Sequence, residues 1–146
     1  SRTSIRCDCI EMWKLAKIEM ILGFQSFETD LNLTFDVWTV LPGSLDAYLC
    51  VTAHWINPNN WVMMKHTITF ELFEYPHTDK YLFKILDCVI KTYKLEGNIF
   101  SISFDNASNN IVAVRQLKLK YKPICDGVFF IVHVLHISLI WLCKMD

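Results

Sequence analysis

An alternation of apolar and polar residues over Leu31–Trp38 is the feature that most constrains the fold of this 146-residue chain. Leu31, Leu33, Phe35 and Val37 are apolar, and the residues between them, Asn32, Thr34 and Asp36, are polar. A period of two residues is that of a β-strand with one face in a core and the other face outside it. The segment is therefore predicted to be a strand whose second face is polar.

A β-hairpin is predicted immediately downstream. Residues 47–56 are rich in β-forming side chains, and the cluster Asn57-Pro58-Asn59-Asn60 that follows is a strong turn signal. Residues 61–75 resume the strand pattern, so the two segments are predicted to pair as antiparallel strands. Upstream, residues 5–24 have roughly helical periodicity, and Gly23 is predicted to end that helix.

A helix followed by a strand is predicted next. The helix is capped by Thr78 or Asp79, runs to about Leu95 and is closed by Gly97. One of its faces is apolar, at Leu82, Ile85, Leu86, Val89 and Ile90. Residues 98–105 then read as a fourth strand that ends in Asp105.

The last third of the chain is predicted to contain a further helix and an apolar element. The helix has apolar positions at Ile111, Val114 and Leu117 and lysines towards its C-terminal end, where positive charge is favourable. Residues 123–127 break it, and residues 128–143 are nearly free of charge. This stretch is shorter than the roughly 20 residues that span a bilayer. A buried strand plus helix is therefore predicted there, with a membrane anchor as the alternative.

The composition indicates an ordered domain without a general affinity for nucleic acid. Hydrophobic residues make up 53% of the chain, and 14 basic residues face 15 acidic ones, for a net charge of −1. A protein that grips DNA mainly by charge usually has a basic excess. The six cysteines show no C-x-x-C pair and are predicted to be reduced and intracellular.

The order of elements is helix, β-β-β-α-β-α and a final apolar element. Three antiparallel strands followed by an α-β crossover form the beginning of an RNase H-like fold, which is one of several α/β folds that this order allows. The predicted class is α/β, with a mixed sheet in which three antiparallel strands precede α-β-α.

Four segments, in order along the chain, resemble those of hAT-type DNA transposases. They are Leu33-Thr34-Phe35-Asp36-Val37-Trp38-Thr39, residues 48–56 (YLCVTAHWI), Pro76-His77-Thr78 and residues 102–110 (ISFDNASNN). The resemblance extends to the plant "sleeper" proteins, which carry a BED zinc finger. It implies that residues 1–146 are part of an RNase H-like transposase core, with the zinc finger and the C-terminal dimerisation region outside the chain.

The resemblance also implies a function. Full-length members cleave and transfer DNA strands with a metal ion, act in the nucleus as homodimers on DNA, and have neither a membrane nor a small-molecule substrate as partner. For this chain we expect a fragment of such a transposase or of a nuclear DNA-binding protein derived from one. The alternatives are a domesticated, non-catalytic nucleic-acid-binding or interaction protein, and a small membrane-attached protein that uses residues 128–143.

Asp36 and Asp105 match the catalytic, metal-binding aspartates of the family. Their strands are neighbours in an RNase H-like sheet, and paired carboxylates of this kind bind Mg²⁺. The family's third acid, a glutamate, lies far downstream of the position matched by Asp146, so the chain by itself is expected to lack strand-transfer activity. The alternatives are an ordinary solvent-facing Asp36 and an Asp105 that only caps the following helix.

Other polar and aromatic residues have simpler expected roles. His133 and His136 have the i, i+3 spacing of a metal pair, but Val134 stands where the family has Cys, so the segment reads as eroded rather than as a zinc site. The remaining histidines (His54, His66 and His77) are expected at the surface or bonded within strands. The aromatic residues Trp38, Trp55, Trp61 and Phe100 are expected in the core or the sheet.

Overall fold

The computed structural model describes residues 2–26, 29–39, 46–75, 78–104, 108–121 and 131–133. The elements are α1 (Arg2–Ser26), β1 (Leu31–Thr39), β2 (Ala47–Ile56), β3 (Met63–Phe73), α2 (Asp79–Thr92), β4 (Ile99–Phe104), α3 (Ser108–Tyr121) and β5 (Ile131–His133). The predicted α/β class is confirmed, and each predicted helix and strand up to residue 121 has a counterpart among these elements.

The strands form a sheet in the order β3-β2-β1-β4-β5. β2 pairs in the antiparallel sense with both β1 and β3, whereas β4 pairs in parallel with β1, and β5 in parallel with β4. The sheet as a whole is therefore mixed, and a description as three antiparallel strands covers only one side of it. The parallel pair is possible because α2 carries the chain across between β3 and β4.

The hairpin between β2 and β3 is closed by the predicted asparagine turn. The Asn57 amide donates to the Val62 carbonyl at 2.9 Å, and the Asn57 carbonyl accepts from the Trp61 amide at the same distance. The Asn60 side chain accepts from the Val62 amide at 3.1 Å. The turn holds Trp61 at a φ of 56° with 81% of its surface exposed, so the expectation of a core or sheet role for Trp61 was wrong.

One face of the sheet forms the hydrophobic core. β1 contributes Leu31, Leu33 and Phe35, the apolar residues of its alternating pattern. The core also contains the buried residues Ala47, Leu49, Val51, Ala53, Trp55, Ile102 and Phe104 from the sheet, Leu82, Ile85, Leu86, Val89 and Ile90 from α2, and Ala113, Val114 and Leu117 from α3. Because α2 and α3 pack on this face, the predicted apolar face of α2 is confirmed.

The ends of α2 are set by a side-chain cap and a left-handed residue. The hydroxyl of Thr78 accepts from the Tyr81 amide at 3.2 Å, which confirms one of the two predicted caps. The helix ends at Thr92, and Lys94, at a φ of 54°, makes the reversal that was predicted for Gly97. Leu95 follows directly and is fully buried, so tertiary packing fixes the reversal there.

Helix α1 continues past Gly23 to Ser26, so the predicted stop at Gly23 was wrong. The extra turn carries Phe24, which is 2% exposed and packs edge-on against Trp55 at 5.3 Å and Tyr93 at 6.2 Å between ring centroids. The apolar face predicted upstream is largely exposed, at Ile5, Ile10, Met12, Trp13, Leu15, Ile18 and Leu22. The helix is therefore anchored to the core mainly through its C-terminal end.

An ionic cluster joins α2 to α3. The Asp87 carboxylate accepts hydrogen bonds from the Lys120 ammonium at 2.5 Å and from the Tyr121 hydroxyl, and it pairs with Lys91 at 3.0 Å. Burial alone raises the pKa of Asp87, but the hydrogen bonds from Lys120, Tyr121 and Lys91 outweigh it and lower that pKa to about 2. Burial and the bond to Asp87 raise the pKa of the Tyr121 hydroxyl.

The predicted apolar element of residues 128–143 falls mostly outside the described residues. Within it, Ile131–His133 forms strand β5 against β4. In the described ranges, no helix is both long enough and apolar enough to cross a membrane. The four cysteines in these ranges, Cys7, Cys9, Cys50 and Cys88, are free thiols.

Replacing Asp87 by Asn is expected to lower the free energy of unfolding by about 2 kcal/mol at pH 7, because the side chain is only 14% exposed and its pKa is depressed. A depressed folded-state pKa stabilises fully above the unfolded value near 4, and this stabilisation is lost as the pH falls through about 2. Urea unfolding at pH 7 and near pH 2 measures both effects. Lys91→Met, at a partner whose side chain is 57% exposed, is the control and should lower the stability less than Asp87→Asn does.

Candidate functional site

The side of the sheet opposite the core is polar around β1. This polar face contains Asn32, Thr34 and Asp36 of β1, His54 of β2, and Ser101 and Ser103 of β4. Burial decreases along β1 on this face, since Asn32 and Thr34 are half-buried and Asp36 is exposed. The most accessible polar group of this row on β1 is therefore the carboxylate of Asp36, towards the strand's C-terminal end.

The parallel register of β1 and β4 pairs residues at a constant separation. After an irregularity between Leu31 and Asn32, Asn32 pairs with Ser101 and Thr34 pairs with Ser103, and each pair is 69 residues apart in the sequence. The Ser101 hydroxyl donates to the Asn32 side-chain oxygen at 2.6 Å, which locks this register on the polar face. The predicted adjacency of the two aspartate-bearing strands is confirmed.

Of the two predicted site residues, one lies within the described part of the chain and the other lies outside it. Asp36 lies on β1 in register with Cys50 of β2, and its carboxylate is solvent-exposed. Asp105 directly follows Phe104, the last residue of β4, and lies outside the described residues. The residue pair Asp36 and Asp105 has the same 69-residue separation as the two paired positions before it.

His54 reaches across to β1 on the polar face. Its Nε2 lies 2.9 Å from the Thr34 hydroxyl, so the two side chains share a hydrogen bond. Burial lowers the pKa of the His54 ring, and the positive charge of Lys65 lowers it further. The ring is therefore kept neutral beside Thr34 at neutral pH. His54 was expected at the surface or bonded within a strand, and the second of these is confirmed. Its partner Thr34 was not predicted, because cross-strand register is not visible in the local sequence.

Other metal-binding groups do not gather around Asp36 among residues that the structure covers. No three His, Cys, Asp or Glu side chains form a cluster in the described ranges. His133 belongs to β5, and His136 lies outside these ranges, so the predicted erosion of that segment remains a prediction. An exposed carboxylate such as that of Asp36 suits Mg²⁺, which is commonly held by one or two carboxylates together with substrate phosphates and water.

Aromatic side chains adjoin Asp36 on the same side of the sheet. Phe70 of β3 lies 5.5 Å from Trp38 and 5.2 Å from Tyr48 between ring centroids. Trp38 lies two residues after Asp36 on β1 and therefore on the same face, a spacing that is visible in the sequence. Tyr48 and Phe70 were missed because their proximity depends on the pairing of β2 with β1 and β3.

A cleft of about 470 Å³ lies between α1 and the edge strand β3, and Phe70 is one of its lining residues. It is lined by Trp13 and Lys17 of α1 and by residues 67–71. The Lys17 ammonium lies over the rings of Trp13, at 5.1 Å, and Tyr93, at 5.5 Å. Neither predicted aspartate lines this cleft.

Comparison with known proteins supports the four segments of resemblance. The sequence model of the ZBED1 RNase-like domain matches residues 34–128. A Zea mays protein described as an AC transposase is 28% identical over 135 residues, which cover 89% of this chain and 16% of that protein. The chain thus spans about a sixth of the length of this curated relative.

Two further relatives are named as a BED zinc finger protein and as a transcriptional regulator. The Arabidopsis thaliana zinc finger BED domain-containing protein DAYSLEEPER is 28% identical over 131 residues, covering 87% of this chain and 18% of that protein. A Talaromyces stipitatus protein described as the transcriptional regulator tpeD is 26% identical over 87 residues, covering 60% of this chain and 10% of that protein. The resemblance to hAT-type transposases and BED zinc finger proteins is confirmed.

Replacing Lys65 by Met is expected to raise the pKa of His54 towards its ordinary value, because the mutation removes one of the two causes that lower it. NMR titration of the ring protons measures this shift, with Lys80→Met as a control away from the polar face. An unchanged His54 pKa would contradict the assignment. Since the folded pKa lies below that of the unfolded chain, His54 should cost stability as the pH falls below about 6.5.

Proposed function

The chain belongs to the ZBED1 RNase-like domain family, and we propose that it is part of the RNase H-like core of a hAT-type DNA transposase or of a nuclear protein derived from one. The observation that carries this proposal is the register of β1 and β4. That register brings the strand of Asp36 beside the strand that leads into Asp105.

Asp36 and Asp105 are the proposed ligands of a divalent metal ion. The proposal is supported by sequence separation, because Asp36 and Asp105 are 69 residues apart, as are the paired residues Asn32 and Ser101 and the paired residues Thr34 and Ser103. Neighbouring strands lie about 4.8 Å apart, a spacing at which two carboxylates share one cation. A bound Mg²⁺ would stabilise the charge that develops on phosphate oxygens during phosphodiester cleavage.

Neighbouring residues would hold Asp36 in place rather than react. The Asn32–Ser101 hydrogen bond fixes the β1–β4 register four residues before Asp36, on the same face of β1. The Thr34–His54 bond joins β1 to β2 at the intermediate position. The neutral state of His54 leaves the face beside Asp36 without an added positive charge that would compete with a metal ion.

DNA is the proposed substrate, and most phosphate contacts would come from other parts of a longer protein. The chain has a net charge of −1, which gives it no general attraction to DNA. The zinc finger, the third acid and the dimerisation region of the family would complete the active homodimer in the nucleus. Within this arrangement the chain would supply two of the metal ligands, Asp36 and Asp105.

A second candidate is a derived protein that binds DNA or protein partners without catalysis. The names of two relatives, a BED domain-containing protein and a transcriptional regulator, favour it. An uninterrupted gene with an encoded zinc finger and no flanking terminal repeats would support this candidate. Flanking terminal repeats would instead support a transposable element.

Replacing Asp36 or Asp105 by Asn is expected to weaken the binding of Mn²⁺, used as a probe for Mg²⁺, by at least about tenfold, because each change removes one charged ligand. Electron paramagnetic resonance of free Mn²⁺ measures the affinity. Asp30→Asn is the matched control, since Asp30 is an exposed aspartate that precedes the other end of β1. Equal Mn²⁺ affinity in the wild type and both site variants would refute the proposed metal site.

The purified 146-residue chain is expected not to cleave a labelled DNA that carries a transposon terminal repeat, because the family's third acid is not among its residues. The assay is incubation with Mg²⁺, followed by a denaturing gel. Mg²⁺-dependent cleavage that Asp36→Asn abolishes would show that two carboxylates suffice and would overturn this expectation.

A further inference from the structure

The two helices that cover the sheet carry most of the unbalanced positive charge of the chain. α2 and α3 together contain six lysines and arginines and two aspartates, which gives them a net charge of +4. Because the whole chain has a net charge of −1, all other residues together carry −5. Positive charge is therefore concentrated on this helical layer.

The basic side chains of the two helices point away from the core. We call them the basic face, and they are Lys80, Lys84 and Lys91 of α2 and Arg115, Lys118 and Lys120 of α3. Five of them are exposed, and Lys118 is half-buried. Asp87 pairs with Lys91 and Lys120, whereas the other four have no ion-pair partner in the part of the chain that the structure describes. Most of the positive charge of the basic face is thus not neutralised within that part.

Two aliphatic side chains lie on α3 within the basic face. Leu119 is 80% exposed, and Val112 is 41% exposed. They are seven residues apart, which is two helical turns or about 10 Å, so both lie on the outer stripe of the helix with Arg115 between them. The opposite stripe, which contains Leu117, is buried in the core. The outer stripe of α3 is therefore both apolar and basic.

We propose that the basic face binds an acidic segment of a partner protein, and that apolar side chains of this segment cover Val112 and Leu119. Clusters of basic side chains recognise acidic motifs, and apolar anchors at helical spacing are typical of a peptide that binds against a helical surface. The inference does not depend on the proposed function, because it involves neither Asp36 nor a DNA substrate.

The two aliphatic side chains favour an acidic protein segment over the backbone of duplex DNA. Cations and hydrogen-bond donors contact phosphate oxygens, whereas an exposed leucine gains free energy only when an apolar surface covers it. The position of the basic face agrees with this choice. α2 and α3 pack on the core side of the sheet, opposite the polar face that carries Asp36, so DNA held at Asp36 would not lie against them.

The test uses three fluorescein-labelled peptides of equal length and measures their binding to the full chain by fluorescence anisotropy. The first contains glutamates and two leucines at the spacing of Val112 and Leu119. The second has serine in place of each leucine, and the third has lysine in place of each glutamate. We expect the first to bind most tightly, the second more weakly and the third not at all. Added salt should weaken the first, because it screens exposed charges.

Charge reversal and removal of the leucine side chain should have different effects. Lys84→Glu combined with Arg115→Glu should weaken both acidic peptides at least about tenfold, because each change replaces an attraction by a repulsion. Leu119→Ser should weaken the leucine peptide about fivefold, since the burial of one apolar side chain is lost, and should leave the serine peptide unchanged. Thermal unfolding checks folding, and little change is expected because all three side chains are exposed.

Arg6→Glu combined with Lys14→Glu is the matched control. This variant has the same net charge as the other double variant, but its changes lie at two exposed cations of α1, outside the basic face. The affinity for the leucine peptide should stay within about twofold of the wild type, because salt screens charges that do not contact the peptide. An equal loss in both double variants would show attraction by net charge alone and would contradict the assignment to the basic face.

Three further results would overturn the proposal. The first is equal affinity of the wild type for the leucine and serine peptides. The second is tighter binding of a duplex DNA than of the leucine peptide, lost on reversal of Lys84 and Arg115, which would assign the face to DNA. The third is self-association that the same variant abolishes, which would show that a second copy covers the face. Failure of Mn²⁺ binding at Asp36 would refute only the proposed metal site.

Discussion

The parallel pairing of β1 with β4 is the contact on which the rest of this domain depends. Parallel strands cannot be joined by a tight turn, so the chain must cross over through a helix, and α2 makes this connection. Its five buried apolar residues cover the sheet and form the centre of the core. The same pairing creates the polar face, since it brings Asn32 beside Ser101 and Thr34 beside Ser103.

One face of β1 packs in the hydrophobic core, and the other face carries the proposed site residue Asp36. Leu31, Leu33 and Phe35 are buried, and Phe35 stacks on Phe104 of β4 at 5.4 Å between ring centroids. The intervening residues carry hydrogen bonds and the exposed carboxylate. A slip of one residue in register would exchange the two sets, burying Asp36 and exposing Phe35. The core residues therefore determine the position of the site residues as strictly as any contact within the site.

The segments that resemble the relatives lie in the elements that position Asp36. Identity of 26–28% is low, yet the segments that resemble hAT transposases coincide with β1, β2, the cap of α2 and the end of β4. These are the elements that set the β1–β4 pairing and the face on which Asp36 lies. The ionic cluster at Asp87, by contrast, joins α2 to α3 on the core side and serves stability.

Local periodicity in the sequence was sufficient to predict most elements. The alternation in β1, the asparagine turn and the apolar face of α2 all appeared as expected, because each depends on contacts within a few residues. The polar position of Asp36 within the alternation is visible in the same way, whereas its assignment as a site residue came from the family resemblance.

Tertiary packing set the ends of two helices and the neighbours of residues across the sheet, which local sequence patterns do not show. Gly23 and Gly97 were predicted to end helices, but α1 continues so that Phe24 enters the core, and α2 reverses at Lys94 so that Leu95 is buried. The burial of a large apolar side chain outweighs the small local preference for glycine at a helix end. The register that unites β1 with β4, and the meeting of Phe70 with Trp38, join residues far apart in the chain. The sequence alone determined the strands, their polar positions and the family resemblance, whereas only the sheet decided which of those positions became neighbours.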